Sequence, residues 1–217
     1  MPPPSPLPAT EPPRDCPLCP RLAALRERLR GEFPDWWNAP VPAFGDPQGW
    51  LVIVGLAPGK HGANRTGRAF TGDAAGDLLF RTLASFGLSD GSGDGLVLNG
   101  VMIVNAVKCL PPDNKPTPAE IHACRPILAR QVAALPRARV FIALGQIAHQ
   151  SAVKILGGKL PKACFAHLAE HRMPGGGILI DSYHCSRYNQ NTGRLTPEMF
   201  DAVFARATLL RDSDAPG

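Results

Sequence analysis

Apolar residues gather in four short runs along the chain, LVIV at 51–54, VMIVNAV at 101–107, VFIAL at 140–144 and ILIDS at 178–182. Their apolar positions are mostly consecutive and β-branched, as in parallel strands covered on both faces. Between them lie segments with helical periodicity, at 21–30, 74–86, 118–134, 146–156 and 197–210. The alternation predicts β/α layering. Two helix starts are signalled chemically. Thr117-Pro118-Ala119-Glu120 supplies an N-cap, a proline at the first helical position and a capping-box glutamate, and Thr196-Pro197-Glu198 repeats the pattern more weakly. In such a sheet, ligands bind beyond the carboxyl ends of the strands. Attention therefore falls on loops 55–73, 108–117 and 183–195 and on the turn at Gly145.

With 217 residues, 44% of them apolar, the chain fits one domain, expected at 14–211. A proline-rich disordered tail is expected at 1–13 and a flexible one at 212–217. The opening MPPPSPLPATEPP lacks the apolar core of a signal peptide, and no stretch is long and apolar enough for a membrane span. The expectation is a monomeric cytoplasmic protein without a membrane partner. Its thiols then stay reduced, so metal or catalytic roles outrank disulfides for the six cysteines. A net charge of +5 favours an anionic partner, though weakly.

Cys16-Pro17-Leu18-Cys19 forms a C-x2-C pair, and Cys109 and Cys124 form a looser second pair. Four thiolates suit a tetrahedral metal ion or a [4Fe–4S] cluster, and the spacing does not separate the two. The bland alternative is four small buried residues. Cys164 and Cys185, without near neighbours of their kind, are expected to be packing residues. Loop 55–73, GLAPGKHGANRTGRAFTGD, is not a phosphate loop, because Gly59-Lys60-His61 lacks the hydroxyl residue after lysine and the glycine spacing is wrong. Lys60, Arg65, Arg68, Lys115, Arg187 and Arg194 all fall on the three loops beyond strand ends, so one face is expected to be positive.

These stretches together resemble the uracil-DNA glycosylase superfamily, specifically its iron–sulfur-containing family 5, or type b. The resemblance is carried by CPLCPRL, PVPAFGDP, the 55–73 loop, VKCLPPDNKPTP with Cys124, ALG and SYHCSRYNQNTGRLT, in that order from Cys16 to Phe200. It implies a three-layer α/β/α fold around a central four-stranded parallel sheet, and a [4Fe–4S] cluster on Cys16, Cys19, Cys109 and Cys124. The implied partner is double-stranded DNA containing uracil or another deaminated base such as hypoxanthine. The implied reaction is hydrolysis of the base–sugar bond, which leaves an abasic site.

A base inside a duplex must flip out to be reached. Bond cleavage then leaves positive charge on the sugar and negative charge on the base. The resemblance puts the acid at Asp73, suited to the sugar cation and the water, and His184 suits the departing base as a positioned donor. Phe70 is expected to stack on the base, against the plain alternative of core packing, and Gly55, Leu56 and Ala57 to frame it with backbone groups. Asn105 and Asn114 are both candidates to read its edge. His61, Asn64, Arg65, Lys115 and Arg187 are expected to touch DNA, while Gln190 and Asn191 fill the gap left in the duplex. The cluster's expected role is structural. A non-catalytic nucleic-acid-binding module stapled by a four-cysteine site explains the cysteines and the basic loops, but gives Asp73, His184 and Phe70 no reason to share a pocket. An iron–sulfur electron-transfer protein leaves the basic loops unexplained.

Overall fold

The computed structural model describes residues 10–213. Helix α1 (Pro20–Glu32) opens the fold, followed by β1 (Phe44–Gly45), β2 (Leu51–Gly55), the short α2 (Ala63–Thr66) and α3 (Ala74–Ser85). A small hairpin, β3 (Ser89–Asp90) and β4 (Val97–Leu98), leads to β5 (Val101–Asn105). Then come α4 (Pro118–Ala133), β6 (Val140–Leu144), α5 (Gln146–Ile155), β7 (Glu170–Arg172), β8 (Ile178–Ser182), α6 (Arg187–Asn191) and α7 (Pro197–Ser213).

The main sheet has the order β1-β5-β2-β6-β8-β7. Its four central strands are parallel, as expected, while β1 and β7 add short antiparallel edges that the sequence pattern did not announce. Every residue of the four central strands is buried. Alternate side chains reach opposite layers. Ile53, Ile103, Ile142 and Ile180 pack with Leu79 and Leu83 of α3 and Phe200 and Phe204 of α7. Val52, Val104, Phe141 and Leu179 pack with Leu128 of α4 and Ala152 and Val153 of α5. The result is the three-layer α/β/α sandwich, with all four parallel strands pointing their carboxyl ends the same way.

Over those ends lies α1, with Leu22 against Val107, Cys109 and Cys124, and Leu25 and Leu29 against Leu110. The capping box of α4 forms as predicted, and its Glu120 also takes a two-pronged ion pair from Arg21 of α1, both contacts at 2.8 Å. Ordered structure begins earlier than the expected tail boundary: within 1–13, Glu11 accepts a hydrogen bond from the Ala43 amide and another from Gln131. Residues 1–9 of that tail lie outside the described residues. At the other end α7 runs to Ser213, two residues into the expected second tail, and 214–217 lie outside the described residues. The strand expected at 101–107 stops at Asn105, where the chain turns towards the cysteines.

At the β7 edge, Asp181 is fully buried and binds two histidines, His149 Nδ1 at 2.7 Å and His171 Nε2 at 2.9 Å. The other nitrogen of His149 faces the Ala163 carbonyl at 2.9 Å. Both ring nitrogens of His149 are engaged by protein oxygens, and the group reads as a buried polar pin between β8, β7 and α5. Removing one partner of such a network typically costs ~3–5 kcal/mol. Asp181→Ala should therefore lower the urea midpoint strongly, and His171→Ala, at the less buried end, should lower it less.

Candidate active site

Beyond the carboxyl ends of β2, β5 and β8 opens a cavity of about 550 Å³. Leu56, Ala57, Phe70, Asp73, Asn105, Asn114 and His184 all line it, with His61 and Arg187 at its wall. Three loops separated widely in sequence thus deliver the expected catalytic pair and most of the expected base-binding residues to one space. Of that set Gly55 lies behind the wall rather than on it.

Gly55 closes β2 directly opposite Asn105 on β5. A Cβ at Gly55 would run into the Asn105 side-chain oxygen and would stand 2.9 Å from the Phe70 ring. Absence of a side chain there is what lets amide and ring meet. Phe70 itself has φ 56°, a left-handed backbone that costs a bulky residue about 1–3 kcal/mol. That strain holds the ring on the cavity wall, stacked with the His184 ring at 6.3 Å between centroids. Asn105 is 4% exposed, and its Oδ1 has no hydrogen-bond partner. A buried acceptor without a donor costs about 1–3 kcal/mol unless something else satisfies it.

Asp73 caps α3: its Oδ1 accepts from the amides of Ala75 at 3.1 Å and Gly76 at 3.0 Å. The other oxygen faces Gly59 and Gly62, and a Cβ at Gly62 would approach it to 2.6 Å. One carboxylate therefore serves a helix and a cavity at once. His184 follows β8, and Asn189 donates to its carbonyl at 2.8 Å. Burial disfavours the charged imidazole and pulls its pKa below the usual histidine value, with the Asp73 charge working the other way.

Several expected DNA contacts stand elsewhere. Asn64 is buried and donates to Asn38 Oδ1 at 2.9 Å, while the Asn38 amide binds the Leu29 and Phe33 carbonyls at the end of α1. It joins α1 to the cavity loop and does not reach solvent. Gln190 is not free to fill a gap in DNA, because its amide nitrogen donates to Ala74 and Cys185 carbonyls. Arg68 is tied to Thr71 and to the Gly93 carbonyl. Arg65, Lys115, Arg187, Asn191 and His61 are exposed as expected. Tyr188, which the sequence reading passed over, is 72% exposed on α6 beside Arg187. Its signal was present, an aromatic in a polar loop next to arginine. Gly62 was also missed, and only the position of Asp73 reveals it.

Away from the cavity, Cys16, Cys19, Cys109 and Cys124 line a second pocket together with Arg26 and Lys108. Burial, with Cys124 alongside, pushes Cys19 up to about 11 and Cys109 up to about 12. Cys19 and Cys124 stand within hydrogen-bond reach of each other, but among the described residues no three of these sulfurs lie mutually within 4.8 Å, whereas a single zinc shell at 2.3 Å from each sulfur sets all four roughly 3.8 Å apart. Lys108 is 1% exposed, and burial pulls it down to about 8. Arg26 is 6% exposed, and its Nε makes no hydrogen bond but lies 3.6 Å from Glu27 Oε1. Cys185 is buried, as expected of a packing residue, but Cys164 is exposed and packs nothing into the core.

A family model described as the uracil DNA glycosylase superfamily matches residues 42–208. A type-5 uracil-DNA glycosylase of Thermus thermophilus is 47% identical over 206 residues, spanning 90% of this chain and 93% of its own. The type-5 uracil-DNA glycosylase of Mycobacterium tuberculosis is 42% identical over 208 residues, spanning 90% and 78%. Similarity to a type-4 uracil-DNA glycosylase of Archaeoglobus fulgidus is 40% over 111 residues, half of each chain.

The double duty of Asp73 has a measurable signature. Asparagine is as good an N-cap as aspartate, and alanine at a cap costs about 1 kcal/mol. Thermal melts should therefore rank Asp73→Ala below Asp73→Asn, with Asp73→Asn near the unmodified protein. Equal melts for the two variants would mean that the cap contributes nothing.

Proposed function

Because the chain belongs to the uracil DNA glycosylase superfamily, as a type-5 member, we infer that it hydrolyses the bond between uracil and deoxyribose in DNA and leaves an abasic site. The observation that carries the mechanism is one cavity holding an acid, a buried imidazole, an aromatic wall and an unpaired amide oxygen. A flipped base would enter with its face on Phe70. Asn105 Oδ1 then meets its missing donor, the ring N–H of uracil. Cytosine carries an unprotonated ring nitrogen at that edge, so two acceptors would face each other, and sites built on such pairs reject the wrong edge strongly. Deamination makes the same change at N1 of adenine, from a ring nitrogen acceptor to an N–H beside a carbonyl. The reading therefore extends to hypoxanthine, whereas guanine carries an N1–H before and after deamination, so the Asn105 contact does not by itself select xanthine.

Cleavage of the C1′–N bond sends its electron pair to the base. His184, kept neutral by burial, donates an N–H to the carbonyl oxygen where that charge gathers. Asp73, held by two helix amides, turns its free oxygen to the sugar cation and to the water that adds at C1′, and takes that water's proton. Leu56 and Ala57 offer no group that could do this, and Asp73 is the one carboxylate among the described lining residues. Arg187, Lys115, His61 and Arg65, exposed near the mouth, suit the phosphates of duplex DNA. Asn114 is presented at the cavity by a turn in which it and Asp113 both have positive φ. We read the protein as a monomer acting in the cytoplasm.

The four-cysteine pocket fits a [4Fe–4S] cluster. Four cysteines line it, and two buried cations, Lys108 and Arg26, offset the negative charge of four thiolates. When bound, the cluster would act as a staple and take no part in hydrolysis. Cys16 and Cys19 at the start of α1 would be held to Cys109 and Cys124, alongside the Arg21–Glu120 pair. That tie orients the segment bearing Asn114 and Lys115.

Release of free uracil from a U·G duplex is the direct test, with hypoxanthine and xanthine duplexes beside it. No base released would end the reading. Asp73→Asn should bind the uracil duplex normally and cleave it ~10²–10⁴-fold more slowly in single turnovers. Since burial lowers the His184 pKa, its titration lies on the acid side of about 6.5. The rate should then show no His184-dependent inflection between about pH 6.5 and 8. The unfolded chain takes up that proton first, so the ring's contribution to stability is present above about 6.5 and falls away in acid.

Iron content tests the second pocket. The anaerobically purified protein should be brown and carry four irons per chain. Cys124→Ala should lose that iron, while Cys164→Ala should keep it.

A further inference from the structure

We propose that Gln190 is a positioning residue that holds His184 in register with Asp73. Its side-chain NH2 has two hydrogens, and both are used. One goes to the Ala74 carbonyl at 3.1 Å and the other to the Cys185 carbonyl at 2.7 Å. Ala74 is the residue after Asp73, and Cys185 is the residue after His184. A single planar amide thus bridges the two backbone segments that carry the acid and the imidazole, across 116 residues of sequence. Asn189, its neighbour, reinforces the second segment by donating to the His184 carbonyl. Asp73 is fixed in turn by its cap on α3, so the bridge anchors His184 to the more rigid partner.

The same short helix turns its other side outward. Arg187 and Tyr188 are exposed on α6, three and two residues before Gln190. Pressure from duplex DNA on α6 is therefore felt at the bridge, and through it at the Asp73–His184 spacing. This separates Gln190 from a side chain that merely plugs a gap in the duplex, which would need its amide free. The inference rests on the roles proposed above for Asp73 and His184.

Gln190→Met keeps length and bulk, adds no charge and deletes both donors. Misplacing a catalytic group by ~1 Å can cost ~10²-fold in rate. In single turnovers with enzyme in excess, Gln190→Met should cleave a U·G duplex roughly 10- to 100-fold more slowly, with its DNA affinity within about twofold of the unmodified protein. The His184 ring, followed by NMR, should titrate at still lower pH, because the Asp73 charge that holds it up stands farther away. A rate within about twofold of the unmodified protein, or an unchanged His184 titration, overturns the proposal. A loss confined to DNA affinity overturns it too, in favour of the plug. Should Gln190→Met fail to fold, Gln190→Leu, which also deletes both donors without adding charge, is read the same way. In the unmodified protein the Gln190 side-chain amide protons should resist exchange, and fast exchange overturns the bridge without any variant. The NMR arms do not depend on base release, so failure of the glycosylase assay and failure of the bridge remain distinct results.

Discussion

Asp73 gives one carboxylate oxygen to two amides of α3 and leaves the other facing the cavity. Much around it follows from that division. The helix amides stop the carboxylate from rotating and their dipole favours an anion there, so the free oxygen has a fixed direction. Glycines at 59 and 62 leave it room. Phe70, three residues earlier, takes a strained backbone so that its ring shares the wall with His184. Across the sheet, Gly55 clears the space in which that ring meets the Asn105 amide. An apolar first turn after β2 is no handicap once the acid arrives from the far end of the same loop.

Two links bind this loop to the cysteine pocket. At its start, α1 packs through Leu22 and Cys19 on Cys109 and Cys124 and is tied by the Arg21–Glu120 pair. At its end, the carbonyls of Leu29 and Phe33 are taken by Asn38, whose own oxygen is taken by Asn64 from the cavity loop. Helix α1 is therefore a strut with the cysteines at one end and the active-site loop at the other. A cluster bound at the cysteines, as proposed, would in this way govern how firmly the cavity wall is held.

What could be read from the sequence follows physical lines. The four central strands were legible because double coverage demands consecutive apolar residues, as in Leu51 to Val54. The edges β1 and β7 were not, since two or three residues with one open side need no pattern. Cysteine spacing and the order of the loop motifs marked both pockets. The roles of Asn64 and Gln190 were beyond reach, because an amide in a polar loop looks alike whether it faces DNA or a carbonyl folded back from elsewhere. Partners 26 and 116 residues away decide the matter, and only folding brings them near. Cys164 shows the converse, an apolar side chain left outside because no layer passes over it.

The contact between Gly62 and the free oxygen of Asp73 also bears on how such a site changes over generations. While an acid stands at 73, a side chain at position 62 must displace the carboxylate oxygen, and it also meets the Thr71 carbonyl at 3.0 Å. A lineage that trades the acid for a shorter residue removes the tighter of these two contacts, and any side chain then acquired at 62 occupies the space the carboxylate needs. Reversion at 73 alone would then clash. Loss of the acid is in this sense a ratchet, and the two positions form an epistatic pair whose history runs more easily in one direction than the other.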